Sequence, residues 1–371
     1  MIKNTFITGI LLLLSIKGLS QTVTTIFEGL PDDALVFDSD GNLYASSYTQ
    51  GKIYKYDNSY NVSEFTSFPS NAVGIAINST NEIFNCDFGT SRIRSFLPNG
   101  SLNLNLLQSG YPAGIIKDYG SDDLIFTKFS GNSIHRLSTN GSVSLISNAP
   151  ELDGPVGLTF DNNGELYVSN YNNRKIFRVL SDGTLEYIAT LGNSSVLGYI
   201  AYAQEMLWGT VLGEHKIYMI NPNGIDEVTL FAGSSGGTAD GDISVATFAA
   251  PNGIIFNDLE DTMYVTEFNT KNIRVISGIS LSVEEFDEND IKLLTPLKNN
   301  EVILKANIQN VNSFNLTIRQ LHGQTVFRET INTENSATIK KINTDSWQDG
   351  IYFMTIQSAK NSTTKKFIVK N

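Results

Sequence analysis

Cysteine is almost missing from this chain of 371 residues: Cys86 stands alone, so no intramolecular disulfide can form. It lies in the apolar stretch Ile83-Phe84-Asn85-Cys86-Asp87, with no histidine in the same repeat. That setting suits a small buried hydrophobe rather than a nucleophile. Histidine is nearly as scarce. His135, His215 and His322 are scattered, which excludes a His-rich metal set and a His-Glu-x-x-His helix. No P-loop is present. Positive charge is in deficit, with 26 Lys and Arg against 38 Asp and Glu and a net charge of −12. Without a basic patch in the repeats, nucleic acid and anionic membrane are poor partners. Long apolar runs are missing too. Phe6 to Ile16 is too short to span a bilayer. With Lys3 before it and Leu19-Ser20-Gln21 after it, residues 1–20 read as a signal peptide cut after Ser20. No Cys follows to carry a lipid, and the mature chain is expected to have no transmembrane segment.

What is present is a repeat. A small residue or Gly leads into an apolar strand, an Asp/Asn/Gly turn and an apolar–aromatic pair; a second strand follows with Ile between basic or aromatic residues. Phe37-Asp38-Ser39-Asp40-Gly41-Asn42-Leu43-Tyr44 and Phe160-Asp161-Asn162-Asn163-Gly164-Glu165-Leu166-Tyr167-Val168 are its clearest copies. Equivalent positions are Leu43, Ile83, Leu124, Leu166, Met206 and Met263, spaced 40, 41, 42, 40 and 57 apart. A period near 40 made of short strands means propeller blades. Hairpin signals recur at one phase in Asn99-Gly100, Asn140-Gly141, Asp182-Gly183 and Asn223-Gly224. The fold class predicted is all-β: a six-bladed β-propeller followed by a small C-terminal β-sandwich. Blade six, Gly253 to Ile276, supplies only three strands. Val23-Thr24-Thr25-Ile26-Phe27 is expected to add the fourth and close the ring.

The long insert ahead of blade six runs from Ala232 to Gly253 and contains Asp240-Gly241-Asp242, Ala246-Thr247-Phe248 and Pro251-Asn252-Gly253. It resembles the NHL-repeat phrase, as does the following Met263-Tyr264-Val265-Thr266-Glu267-Phe268-Asn269-Thr270-Lys271-Asn272-Ile273-Arg274. Blades one and four also look like the senescence-marker/gluconolactonase family, which shares the six-bladed architecture. The resemblance covers residues 22–279. Residues 280–290 form an acidic linker through Val283-Glu284-Glu285-Phe286-Asp287-Glu288-Asn289-Asp290. In residues 291–371 the strand rhythm changes, with alternating apolar positions at Phe314-Asn315-Leu316-Thr317-Ile318, then Gly350-Ile351-Tyr352-Phe353 and Lys365-Lys366-Phe367-Ile368-Val369. This end resembles the C-terminal sorting domain of the type IX secretion system. Its entry motif is degraded to Leu294-Thr295-Pro296-Leu297-Lys298-Asn299-Asn300. The resemblance implies export to the outside or outer surface of a Gram-negative bacterium, with the secretion machinery as a partner. A generic carbohydrate-binding or adhesive sandwich is the alternative.

Propeller geometry brings inner-strand entries and second-strand exits to one face, around a central channel. Aligned by the repeat, the entries are Asp33, Val73, Ala113, Val156, Leu197 and Asn252, and the exits are Ser47, Asp87, Lys128, Asn170, Val211 and Glu267. In gluconolactonase-like enzymes a divalent cation sits here on Glu, Asn and Asp, as a Lewis acid for lactone hydrolysis. The resemblance therefore offers Asp33 and Asn252 as metal ligands, with Glu267 or Asp87 from the exit ring and calcium as the candidate ion. Residues of these types also cap turns. Lys128 and Asn170 join the ligand face. Tyr48, Tyr171 and Phe268, with Phe88 and Phe129, follow the exits as either an aromatic rim or inter-blade packing. Asp38-Ser39-Asp40-Gly41-Asn42 starts like an EF-hand but has Thr49 at position twelve, so it is a turn. The Asp240–Asp242 loop could hold a structural cation. Two functions are carried forward: a secreted binding module for a small-molecule, glycan, peptide or protein ligand, and a cation-dependent hydrolase or lyase acting on a sugar lactone or ester. A structural role in a surface assembly is a third.

Overall fold

The computed structural model describes residues 21–279 except Tyr60, Pro69 and Asp258, and in the tail the stretches 284–285, 291–294, 301–307, 313–320, 324–332, 337–358 and 361–369. The expected signal peptide lies outside the described residues. The chain divides into two compact units, Met1–Ile279 and Ser280–Asn371.

In the first unit six antiparallel sheets follow one another, each with its first strand innermost. Blade two is typical: Ala72–Ile77, Ile83–Asp87, Arg92–Phe96 and Leu102–Leu107. The inner strands are short apolar runs, as sheets buried on both faces require. The repeated Ile of the third strand (Ile53, Ile93, Ile134, Ile176, Ile217 and Ile273) is fully buried in every blade. β-branched residues at one phase therefore pack each blade on its neighbours. Five of the six turn signals act as read, with Gly41, Gly100, Gly141, Gly164 and Gly183 at positive φ; in blade five Asp226 rather than Gly224 takes the left-handed conformation.

The fourth strand of blade six is Thr22–Phe27, antiparallel to Ile273–Ser277. The insert adds a fifth, Gly241–Asp242, beside Thr22 and Val23. An ion cluster fastens this closure. The Asp240 carboxylate accepts from Thr25 N and Oγ1, both at 2.9 Å, and from Arg274 Nη2 at 2.8 Å. Arg274 Nη1 in turn meets Glu267 Oε1 at 2.8 Å, with both side chains fully buried.

In the second unit, a five-stranded sheet has Gly350–Gln357 between Ser313–Gln320 and Asn361–Val369. A three-stranded sheet has Glu301–Asn307 between Ile291–Leu294 and Ala337–Asn343. Phe314, Leu316 and Ile318 alternate with exposed or half-buried neighbours and share a core with Leu304, Ile342, Tyr352, Met354 and Ile356. Two sheets over one core make the small sandwich.

Candidate functional site

The six inner strands each leave one edge unpaired, and these edges converge on the propeller axis. In blades two to six the inner strand carries one extra residue against its partner, between Ala72/Ile75, Pro112/Ile115, Pro155/Leu158, Leu197/Ile200 and Pro251/Ile254. Such bulges re-aim side chains, and they settle the phase of the entry ring. In blade five Leu197 pairs with Val211, so the entry is Gly198 rather than Leu197. The glycine of blade five, Gly198, stands one position earlier than its counterparts Gly74, Gly114, Gly157 and Gly253, so matching blades by glycine points to Leu197. The next position then reads Ala34, Gly74, Gly114, Gly157, Tyr199 and Gly253. At Gly114 a Cβ would stand 1.7 Å from Val156 O, so neighbouring blades touch through backbone there. Tyr199 replaces this small residue in one blade only.

The Tyr199 phenol crosses the axis to donate to Asp33 Oδ1 at 2.5 Å. Asn252 Nδ2 reaches Asp33 Oδ2 at 3.3 Å and Asp32 O at 2.9 Å. Asp33 and Asn252, far apart in sequence, therefore do meet, at a closed throat. Burial pushes the Asp33 carboxyl up to about 8 against the lowering effect of the Tyr199 bond, and pushes the Tyr199 hydroxyl well above its ordinary range. The neighbouring Asp32 is spent on the loop above: it accepts from Tyr48 N at 2.5 Å and from Thr49 Oγ1.

A ring of hydroxyls that the sequence reading passed over supports this throat. Residues one before each exit are Ser46, Cys86, Thr127, Ser169, Thr210 and Thr266, all fully buried. Thr266 donates to Asp33 O at 2.5 Å, Thr210 to Asn252 O at 2.6 Å and Ser169 to Gly198 O at 3.3 Å, each bridging to the next blade. Cys86 holds that place in blade two, its thiol raised by burial. The signal was in the repeat, as a hydroxyl or thiol at constant phase.

The exit residues fasten strands. Asp87 Oδ2 takes Arg94 Nη2 at 2.7 Å and Thr90 Oγ1 at 2.5 Å; its carboxyl is held below the ordinary range, these bonds outweighing burial. Glu267 takes Arg274 Nη1 at 2.8 Å and Thr270 Oγ1 at 2.5 Å in the same pattern. Asn170 Nδ2 donates to Glu151 O at 2.7 Å, while its buried Oδ1 has no protein partner. Lys128 lies 5.9 Å from the Phe126 ring centroid, and burial lowers its ammonium. A hard cation needs six to eight oxygens. Here Asp33 is taken by Tyr199 and Asn252, and Asp87 and Glu267 by arginines. No group of three or more His, Cys, Asp or Glu is placed to hold a metal among the described residues. These side chains do not fit a divalent cation as arranged. In the insert, Asp240 holds Arg274 and Thr25, while Asp242 Oδ1 accepts from Ser244 N at 2.9 Å.

Above the throat the aromatic residues form a collar. Ring centroids are separated by 6.1 Å for Phe268–Tyr48, 6.4 Å for Tyr48–Phe88, 5.7 Å for Phe88–Phe129 and 5.7 Å for Phe129–Tyr171. Leu212 stands at this position in blade five. All five rings are half-buried, so they pack on each other and still present a face to solvent. Their backbone N–H groups fix them: Phe88, Phe129, Tyr171 and Phe268 donate to Asn71, Tyr111, Gly154 and Ala250 carbonyls at 2.8–2.9 Å.

Residues 296–370 match the family described as secretion system C-terminal sorting domain. Residues 119–280 match a family described as a repeat of unknown function. Among curated proteins none matches the chain. Solved structures resemble the propeller. A virginiamycin B lyase from Staphylococcus aureus, with quinupristin, is 22% identical over 67% of this chain and 81% of its own, with a TM-score of 0.52. A gluconolactonase from Xanthomonas campestris is 14% identical over 69% and 89%, with a TM-score of 0.56. An auxiliary nutrient binding protein from Bacteroides thetaiotaomicron is 16% identical over 69% and 76%, with a TM-score of 0.59. Identities this low carry the fold alone. Residues 296–370 thus belong to the secretion system C-terminal sorting domain family, and the unit before them is a propeller with the fold of gluconolactonase-like and lyase structures.

Proposed function

We propose that this chain is a binding module exported to the surface or exterior of a Gram-negative bacterium, with its ligand on the collar face of the propeller. The sorting-type tail supports the export route. The collar supports the binding role: five half-buried rings stand in contact around one mouth, a surface suited to the apolar faces of a glycan or an extended peptide. Lys128 and Asn170 sit one residue before two of these rings; the half-buried Lys128 offers an ammonium beside them, while Asn170 lies fully buried beneath. A nutrient-binding protein among the structural neighbours is in keeping with this reading. The hydrolase alternative has in its favour the meeting of Asp33 and Asn252, and against it the engagement of Asp33 with Tyr199.

The test is binding of the full chain to immobilised neutral and acidic oligosaccharides. Tyr171→Ala and Tyr48→Ala are each expected to weaken retention at least about tenfold, the effect of losing a central ring. Retention unchanged in the double variant would remove the collar assignment. Lactone turnover abolished by both Asp33→Ala and Asn252→Ala would put the hydrolase reading in its place.

A further inference from the structure

The throat closes the channel from the collar side but leaves its other half open. Below Tyr199 lies a cavity of about 550 Å³, within the size range of small-molecule sites. Its walls come from all six inner strands and include Val36, Ile75, Ile116, Thr159, Tyr202 and Ile255, with Tyr199 at the inner end. The opening is at the ends of those strands remote from the collar.

Three features give it a chemistry. Aliphatic side chains dominate the wall, and leaving them against water is unfavourable by about 25 cal/mol per Å². Six unpaired strand edges face the axis, so backbone N–H and C=O groups are at hand between the apolar side chains. Charge is confined to Lys117 and Glu260 and is already engaged: Lys117 Nζ lies 3.7 Å from Asp122, and Glu260 Oε2 accepts from Gln204 N at 2.5 Å. We infer that this cavity is a second ligand site, separate from the collar, for one uncharged small molecule with an apolar body and a hydroxyl, amide or arylamine edge. Tyr199 is its floor, and the bond to Asp33 holds that floor in place.

The test uses the full chain and the neutral probe N-phenyl-1-naphthylamine. Thr159→Cys places a thiol on the wall, and Ser63→Cys places one on the exposed outer strand of blade one. The native Cys86 is fully buried with its thiol raised, so it reacts slowly with maleimide. With the probe at about ten times its Kd, labelling at position 159 is expected to slow about tenfold, with no change at position 63. Probe fluorescence should saturate at one molecule per chain. An unchanged rate at 159, or equal slowing at both positions, would overturn the site. Ile255→Cys is the second reporter on the wall, should Thr159→Cys fail to fold. Because the labelling rate at position 159 reports only on the cavity wall, its outcome is distinguishable from oligosaccharide binding at the collar.

Discussion

Asp33 carries an unusual load for one side chain, because it holds the throat while buried away from water. Its carboxyl ionises at the ordinary value of 3.8 when unfolded and at about 8 in the fold. The protonated form is therefore favoured by folding: its contribution is complete below the unfolded value and is lost as the pH climbs through the folded one. Between about pH 5 and 8 the melting temperature of the propeller should fall, and Asp33→Asn should flatten that slope. Thermal unfolding across this window checks it, and parallel curves for the two proteins would show that the carboxyl is ionised in the fold. Glu267 is spent differently. Its charge is matched by Arg274 at 2.8 Å in a site closed to solvent, an arrangement in which either partner alone is costly to bury. A residue type suited to a metal ligand is here the anchor of an arginine. The pattern acid-aromatic-x-Thr-x-x-Ile-Arg, present at both Asp87–Arg94 and Glu267–Arg274, was the available sign.

At the scale of elements the closing strand matters most. Thr22–Phe27 covers the edge of Ile273–Ser277, buries Val23 completely and receives Asp240 through Thr25. Its removal exposes an edge and uncovers several apolar side chains, a loss on the order of 5 kcal/mol when each is worth about 1.5–3. Deleting residues 22–27 should lower the propeller's melting temperature by about 10 °C or more. A transition left unmoved would mean that the ring is held without this strand. The bulge in the inner strands is the second decisive element. It is repeated in five blades, yet only in blade five does it deliver a large side chain, Tyr199, to the axis.

The whole molecule pairs a ring-shaped scaffold with a sorting-type tail. The two units have separate cores, and each is held by its own sheets. Removing residues 287–371 should leave a propeller with its melting transition intact, accumulating in the periplasm. Fractionation of cells carrying the truncated gene checks this, and normal release of the shortened protein would end the sorting interpretation. The net charge of −12 belongs to this scale too, and it works against approach to phosphate-rich surfaces.

Blade number, turn placement, the closing strand and the change of rhythm at the tail were all legible in the sequence, because period, turn chemistry and alternation are local properties of the chain. The aromatic collar was legible by phase, since one position in each repeat must occupy one place in each blade. What the tertiary structure alone decided is partnership across the axis. Asp33 and Tyr199 are separated by 166 positions, and nothing near either residue names the other. A single extra residue in each inner strand shifts the side chain that meets the throat, and the glycine of blade five pointed to the wrong one. Closing the ring brings six open strand edges to one line. That packing decides which carboxylates are spent on arginine or tyrosine, which end of the channel is sealed, and which end remains a cavity.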